Sequence, residues 1–526
     1  EWKLDSPEAT ATLDNSAKSA RSAFNFMEDM YDETRYSVQN LIYLAGTQFG
    51  NMNTVSRYSL GGESYASIQQ NIHPNSYEET DPQIVSLKGD TKLAVWVDCM
   101  TTDINNITLY YSYYDGTVWT DPAVVSDDNM ADFSPAVCVN NGKAYIVWQN
   151  METAFDAGDA TLDAAKMAAN TGISVAEFTP GTNQFVITKL TEPNQVLDMQ
   201  PTIQSDGNTV VVAWVRNTEN TWYGNGTANS IITRTLNGSE WSDEVTRLDN
   251  LSSITSLAVD CTNGQSRVAY TMDMDGKITT INDAELYIDG QKMTEDEVVD
   301  SAVTFTNHML YWLKGTTLMC MGADNQSEIT QVLSEDVSIC GEYQIVEEGD
   351  KKAILYTVPE DAGSEIYGVF WDADSESWGV PMALTDIGSK ISLFGAVWMD
   401  DHLAILCNSV DVNNPEEDTI TENTYGDANL LLLDYQKKTS MDVVDCRYNS
   451  ADIVVDSALP IYITVANNGM QATDGVRVQI RDTSGNIVKD IKFNQRISAG
   501  ENTELEIKYR VKAEDIGKEF AVFCEP

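Results

Sequence analysis

The sequence predicts an all-β protein: a ring of repeated four-stranded sheets, followed by a smaller two-sheet sandwich. Three observations predict it. A short apolar run recurs along most of the chain at intervals of about 52 residues. The copies follow a second strand-like run, and four of them precede a glycine turn that leads into Tyr65, Trp119, Trp241 or Met293, with WDADSESW a degenerate fifth that has Ser375 at the glycine position. From about Ser440 this texture gives way to short segments of strict apolar–polar alternation.

The recurring run reads KLAVWVD at Trp96, KAYIVWQN at Trp148, TVVVAWVRN at Trp214, SRVAYTMD at Tyr270, HMLYWLK at Trp312, KKAILYTV at Tyr356 and HLAILCN at Cys407. A weaker copy, QNLIYLAG, surrounds Tyr43. These runs are β-branched, aromatic and nearly apolar throughout, the pattern of a strand covered on both faces. The strand before each run opens with proline in three copies, at Pro82, Pro135 and Pro201. Proline is tolerated at the start of a strand because no ladder donor is lost there. The strand after each run ends in a tight turn, as in YYSYYDGTVW, ITRTLNGSEW, SRYSLGGESY and LYIDGQKM. Asp-Gly and Asn-Gly supply the positive φ angles such a hairpin requires. Radial repetition of four-stranded units is the β-propeller. Counting Tyr43 gives an eight-bladed β-propeller; leaving the weak copy out gives the alternative, seven-bladed.

The last unit runs through NLLLLDY at 429–435 and then lacks its outer strand. The chain opens with EWKLDSPEATATL, which reads as that missing piece. The expectation is therefore a ring closed by the N-terminal strand, residues 1–13, with the propeller spanning 1–438. An unclosed ring would leave bare sheet edges.

The hairpin SYYDGTVW resembles the Asp-box of sialidase-like propellers. Ser112, Gly116 and Trp119 match its spacing, while Asp115 stands one place late. The resemblance implies a structural turn. Residues 439–526, with turns at Asn467-Asn468-Gly469 and Ser484-Gly485-Asn486, predict an immunoglobulin-like β-sandwich. Through ITVANNG and ISAGENTELEIKYRV this segment resembles the CARDB-type domains of bacterial surface proteins. Cys446 lies on its first strand and Cys524 on its last, so a disulfide and a pair of thiols both fit.

The chain holds 81 acidic and 32 basic residues, a net charge of −49. That excludes nucleic acid as a natural partner, since phosphate binding needs a basic face. No apolar run is long enough to span a bilayer, so no membrane insertion is expected. The absence of C-x-x-C pairs argues against a zinc ribbon. The chain begins at Glu1 rather than Met. It reads as a trimmed piece of an extracellular bacterial protein, secreted or attached to the cell wall, and as a monomer within a larger multidomain chain.

Three histidines, His73, His308 and His402, are too few and too scattered for a Ser-His-Asp constellation. The propeller arginines show no cluster of the kind a sialidase uses to grip a carboxylate. Calcium is the ion expected, through Asp273 and Asp275 of MDMDGK. No glutamate completes an EF-hand there, and a solvated acidic turn is the competing reading. The long loops 151–182, 217–229 and 409–428 fall on one face of the ring, where function concentrates. Trp222 and Tyr223 are the expected stacking platform. Asp98, Asn150, Arg216 and Lys314, each two residues past a central aromatic, are the expected polar ring. The function expected from these features is binding or adhesion to a glycan or protein ligand. A carbohydrate-active enzyme, hydrolase or lyase, is the alternative, and a structural spacer the third reading.

Overall fold

The computed structural model describes most of residues 68–526, with loop interruptions, and the strand backbones of Ile42–Ala45 and Thr54–Ser56. The chain forms two compact units. One holds Ile68–Tyr367 and Ala383–Asp434; the other gathers strands 42–45 and 54–56, residues 368–382 and the C-terminal segment from Tyr435.

Among the described residues the fold is all-β: nine antiparallel sheets with almost no helix. Seven of these follow one plan and are numbered 1 to 7 by their second strands in chain order. In sheets 1 to 6 four strands succeed one another, and in sheets 3 and 6 a further short strand also pairs with the third. The second strands are Lys92–Cys99, Lys143–Met151, Thr209–Asn217, Gln265–Asp273, Met309–Lys314, Lys351–Glu360 and His402–Val412. These are the seven strong apolar runs. They are buried because neighbouring sheets cover both of their faces, and Trp96, Trp148, Trp214 and Trp312 are almost wholly inaccessible. The first strands of sheets 1 to 7 touch in sequence, and that of sheet 7 touches that of sheet 1.

Two expectations about the N-terminus change here. Sheet 7 comprises Ser389–Met399, His402–Val412, Tyr425–Gln436 and, in the outer place, Ile68–Pro74. Its outer strand therefore comes from the N-terminal side, as expected, but from residues 68–74. Residues 1–13 lie outside the described residues. The strand pairs antiparallel from Ile68↔Asp434 to Pro74↔Asn429. Ile72 joins Ile84, Ala94, Trp96, Ala404, Leu406, Leu430 and Leu432 in one cluster between sheets 7 and 1, so burial fixes which segment takes the outer place. The weak copy at Tyr43 is not a central strand. Ile42–Ala45 pairs with Glu519–Val522 on the edge of a sandwich sheet, because four residues with one partner cannot be covered on both faces.

Sheets 7 and 1 meet without space between their backbones. A Cβ built on Gly395 would stand 2.7 Å from Pro82 O and 2.9 Å from Gln83 Cα. Sheets 6 and 7 are tied by Gln344, which donates to Phe394 O at 2.6 Å and accepts from Ala396 N at 2.9 Å.

In the other unit, two four-stranded sheets enclose one core. One sheet orders Thr54–Ser56, Met441–Tyr448, Ala458–Asn467 and Asn502–Arg510; the other orders Ile42–Ala45, Glu519–Glu525, Val476–Asp482 and Ile487–Phe493. Val443, Ile463, Val465, Val476, Val478, Ile507 and Val522 fill the space between. The alternation read from the sequence is the alternation of these faces. Residues 368–382 belong to this unit through Arg496, whose guanidinium grips Asp372 at 2.6–2.9 Å, and through Val380 N donating to Ala499 O. Cys446 and Cys524 lie on opposite sheets, and no disulfide joins them.

Adding the single methyl of Gly395→Ala drives it into the backbone of residues 82–84. We expect a loss of about 1–3 kcal/mol, by analogy with overpacked cores, read as a lower urea midpoint. An unchanged midpoint would contradict the close approach of sheets 7 and 1.

Candidate functional site

The site expected from the sequence lies where second strands end and first strands begin. Register shows three of the four polar positions to be equivalent: Asn150 stands opposite Asp132, Arg216 opposite Asp198 and Lys314 opposite Asp300. In sheet 1 the first-strand ladder stops at Gln83↔Val95, short of Asp98, and Asp273, three residues past Tyr270, stands opposite Ser253. Sheets 2, 3 and 5 therefore each present a pair of residues at the same strand end, and these pairs form a polar collar.

The shape of the collar follows from bulges in the first strands of five of the sheets, 2, 3, 4, 5 and 7. In sheets 2, 3 and 5 the register shifts after Phe133, Met199 and Ser301. Ser134, Gln200 and Ala302 take φ of 48°, 52° and 52° there. Such values are uncommon outside glycine, and a bulge is where they are met. The bend brings the aspartate at the start of the strand over the central tryptophan. Trp148 Nε1 donates to Asp132 Oδ1 at 2.7 Å, Trp214 Nε1 to Asp198 Oδ1 at 2.8 Å, and Trp312 Nε1 to Asp300 Oδ1 at 3.0 Å. The same carboxylates reach back one sheet. Asp132 Oδ2 accepts from Leu109 N at 3.1 Å, and Asp300 Oδ2 from Leu286 N at 3.2 Å. Asp198 is tied to sheet 2 through its backbone N–H, which donates to Thr171 Oγ1 at 2.9 Å.

These three aspartates were missed from the sequence. A signal was present: Asp132 and Asp198 each stand three residues before the strand-opening proline. They are buried, and burial raises all three carboxyls. Asp132 is pushed up to about 7, chiefly by burial, against the opposing hydrogen bond from Leu109 and aided by the nearby Asp128 charge.

The four polar positions expected to form a ligand ring are all engaged internally. Asp98 is fully buried, and its Oδ2 stands 3.0 Å from His73 Nε2, an ion-pair distance without hydrogen-bond alignment. His73 lies beside the rings of Trp96 and Tyr110, at 6.1 and 6.2 Å. Asn150 Oδ1 accepts from Ser174 Oγ at 2.7 Å. Arg216 donates to Asp198 at 2.7 and 3.0 Å and to Glu244 at 2.7 and 3.2 Å. Burial works against the Arg216 charge, yet these two carboxylates hold its pKa above the ordinary value. Lys314 Nζ donates to Asp296 Oδ2 at 2.5 Å. Arg216, Lys314, Glu244 and Asp296 keep partial exposure, so they are the collar groups that solvent reaches.

Asp273 is buried at the end of its strand, while Asp275 lies outside the described residues, as do Trp222 and Tyr223. Among the described residues no group of three or more His, Cys, Asp or Glu could hold a metal ion. The loop expected at 151–182 is shorter than read: Ala164–Ala168 form a short helix and Thr171–Thr179 is the buried third strand of sheet 2, because it pairs with Lys143–Met151 on one side and Gln184–Lys189 on the other. The Asp115 turn is a hairpin clamp: its carboxylate accepts from Thr117 N and Val118 N at 2.8 and 3.0 Å, and Tyr114 bridges to Trp119. The other two histidines also face aspartates, His308 with Asp260 at 3.0 Å and His402 with Asp434 at 2.7 Å.

No protein-family model matches the chain, and no curated protein matches it by sequence. Among solved structures it is similar to a Penicillium chrysogenum α-L-arabinanase complexed with arabinobiose, at 12% identity and TM-score 0.41, over 70% of this chain and 98% of that one. It is also similar to the endosialidase of phage phi92, at 10% identity and TM-score 0.37, over 71% and 69%. A Trypanosoma rangeli sialidase mutant displaying trans-sialidase activity shows 10% identity and TM-score 0.38, over 88% and 87%. Likenesses this distant carry no functional argument. No helix among the described residues is long and apolar enough to cross a membrane.

The Asp132 carboxyl gives a pH dependence of known sign. Its folded pKa of about 7 lies above the ordinary aspartate value of 3.8. Between those values the native state holds the proton that the unfolded state releases. This group's contribution to stability is therefore greatest below about pH 4 and declines as pH rises to 7, by at most about 1.4 kcal/mol per unit. Asp132→Asn keeps an acceptor for Trp148 and removes the titration. The variant should gain stability relative to wild type between pH 4.5 and pH 8 in urea titrations. A constant difference at the two pH values would contradict the assignment.

Proposed function

We propose that the seven sheets make a seven-bladed propeller, closed by strand 68–74, and that the chain acts on carbohydrate at the collar end of the sheets. The observation that supports this reading is the repetition of one polar strand-end position from sheet to sheet. Its solvent-reached members, Arg216 and Lys314, are donors, and each is paired with an acceptor from outside that position, Glu244 and Asp296. Polyhydroxylated ligands need donors and acceptors in fixed places. Asp132 is buried, so its part is to position the collar, and the exposed acidic groups face substrate. In this reading Trp222 and Tyr223 supply stacking surface and Asp273 and Asp275 a calcium site. The C-terminal sandwich is an immunoglobulin-like module of the CARDB type, in an extracellular, secreted or wall-attached chain that is monomeric within a larger protein.

The test is a hydrolysis screen beside a glycan array. Arabinan oligosaccharides and sialosides belong in the panel, since arabinanase and sialidases are among the similar structures. Release of reducing ends from a panel member upholds the reading. Array binding without turnover would return the chain to a binding module, and neither would reject carbohydrate. With a ligand in hand, Trp222→Ala should weaken binding by roughly 1–3 kcal/mol and leave the melting temperature unchanged. Lost stability with unchanged binding would make Trp222 a loop anchor.

A further inference from the structure

On the sandwich sheet built from Met441–Tyr448, Ala458–Asn467 and Asn502–Arg510, side chains alternate between core and solvent. Cys446, Ile461, Ile463, Leu505 and Ile507 are buried. Arg447, Tyr462 and Glu504 are exposed on the opposite face. Register places Tyr462 between Arg447 on one neighbouring strand and Glu506 on the other. The Arg447 guanidinium pairs with the Glu504 carboxylate. With Tyr448 and Asn449 these residues line a shallow depression. Asn449 Oδ1 accepts from Ala451 N at 3.1 Å, which fixes its carboxamide plane.

The chemistry of this lining is specific. One arginine and one glutamate neutralise each other, so the depression offers little to a phosphate, a polyanion or a basic peptide. What remains is an exposed aromatic ring on a rigid sheet, edged by a guanidinium, a carboxylate and an amide. A sugar ring presents the complement, an apolar C–H face and a rim of hydroxyls. The cross-strand register sets Arg447, Tyr462 and Glu506 side by side on adjacent strands, and the Arg447–Glu504 pair joins the edge of the depression.

We propose that this depression is a binding platform for a neutral saccharide, with Tyr462 stacking against one sugar ring and Arg447, Asn449 and Glu504 bonding its hydroxyls. The platform extends the carbohydrate reading to a second surface and stands on its own residues.

The test uses the full chain in native gels cast with soluble arabinan, xylan or mixed-linkage β-glucan. Retardation of the wild type by at least one polysaccharide is expected. Tyr462→Ala should weaken that affinity about ten-fold, Arg447→Ala should weaken it also, and Tyr462→Trp should retain it, all with unchanged melting temperatures. Wild-type migration unaffected by every polysaccharide, or Tyr462→Ala retarded like wild type, would overturn the proposal. Wild-type turnover of soluble oligosaccharides is scored separately. Retardation without turnover sustains this platform and rejects the enzyme reading; turnover without retardation does the reverse.

Discussion

One contact joins neighbouring sheets at two places in the array: a buried aspartate that satisfies two donors from different sheets. Asp132 accepts from the indole of Trp148 in its own sheet and from the backbone of Leu109 in the sheet before. Asp300 does the same for Trp312 and Leu286. A tryptophan buried on both sides cannot leave its N–H without an acceptor except at a cost of about 1–3 kcal/mol. The carboxylate that meets this need must itself be desolvated, and a second donor from the neighbouring sheet offsets that cost. The result is directional. Apolar packing alone would let adjacent sheets slide, whereas an oxygen shared between an indole and a specified amide fixes their register.

The same contact generates the polar collar. The bulge that carries each aspartate over its tryptophan lies just inside the end of the ladder, so the residue opposite the aspartate stands near the strand end. Asn150, Arg216 and Lys314 occupy that place, and their differences follow from what each sheet supplies nearby. Sheet 3 has Glu244 as well as Asp198, and an arginine serves both. Sheet 2 has Ser174, and an amide suffices. Internal structure and the solvent-reached edge of the collar thus share residues. The groups that solvent reaches are the outer members of pairs whose inner members are locked.

Much of this could be read from the chain. The seven second strands announce themselves because a strand covered on both faces must be apolar throughout. The hairpin at Asp115 and the sandwich alternation are local patterns, and local patterns survive in a sequence. The bulges do not. Ser134, Gln200 and Ala302 adopt positive φ without glycine, so no turn residue marks them, and the aspartates beside them look like ordinary loop acids. Strand 68–74 was hidden for another reason. QQNIHP has a weak strand pattern, while EWKLDSPE imitates the outer-strand motif; the choice between them is made by burial of Ile72 against residues more than 300 positions away. Of the site, the equivalence of positions was legible and their internal partners were not, since a partner in a neighbouring sheet leaves no trace in local spacing.

The central claim is that the aspartate and the indole act as a unit that joins sheets. A double-mutant cycle on Asp132→Ala and Trp148→Phe tests it most directly, with stability measured by urea unfolding at pH 8. The account predicts that the double variant loses less than the sum of the two single losses, with a coupling of roughly 0.5–3 kcal/mol. Losses that add within about 0.3 kcal/mol would show that the two residues stabilise the array independently, and would contradict it.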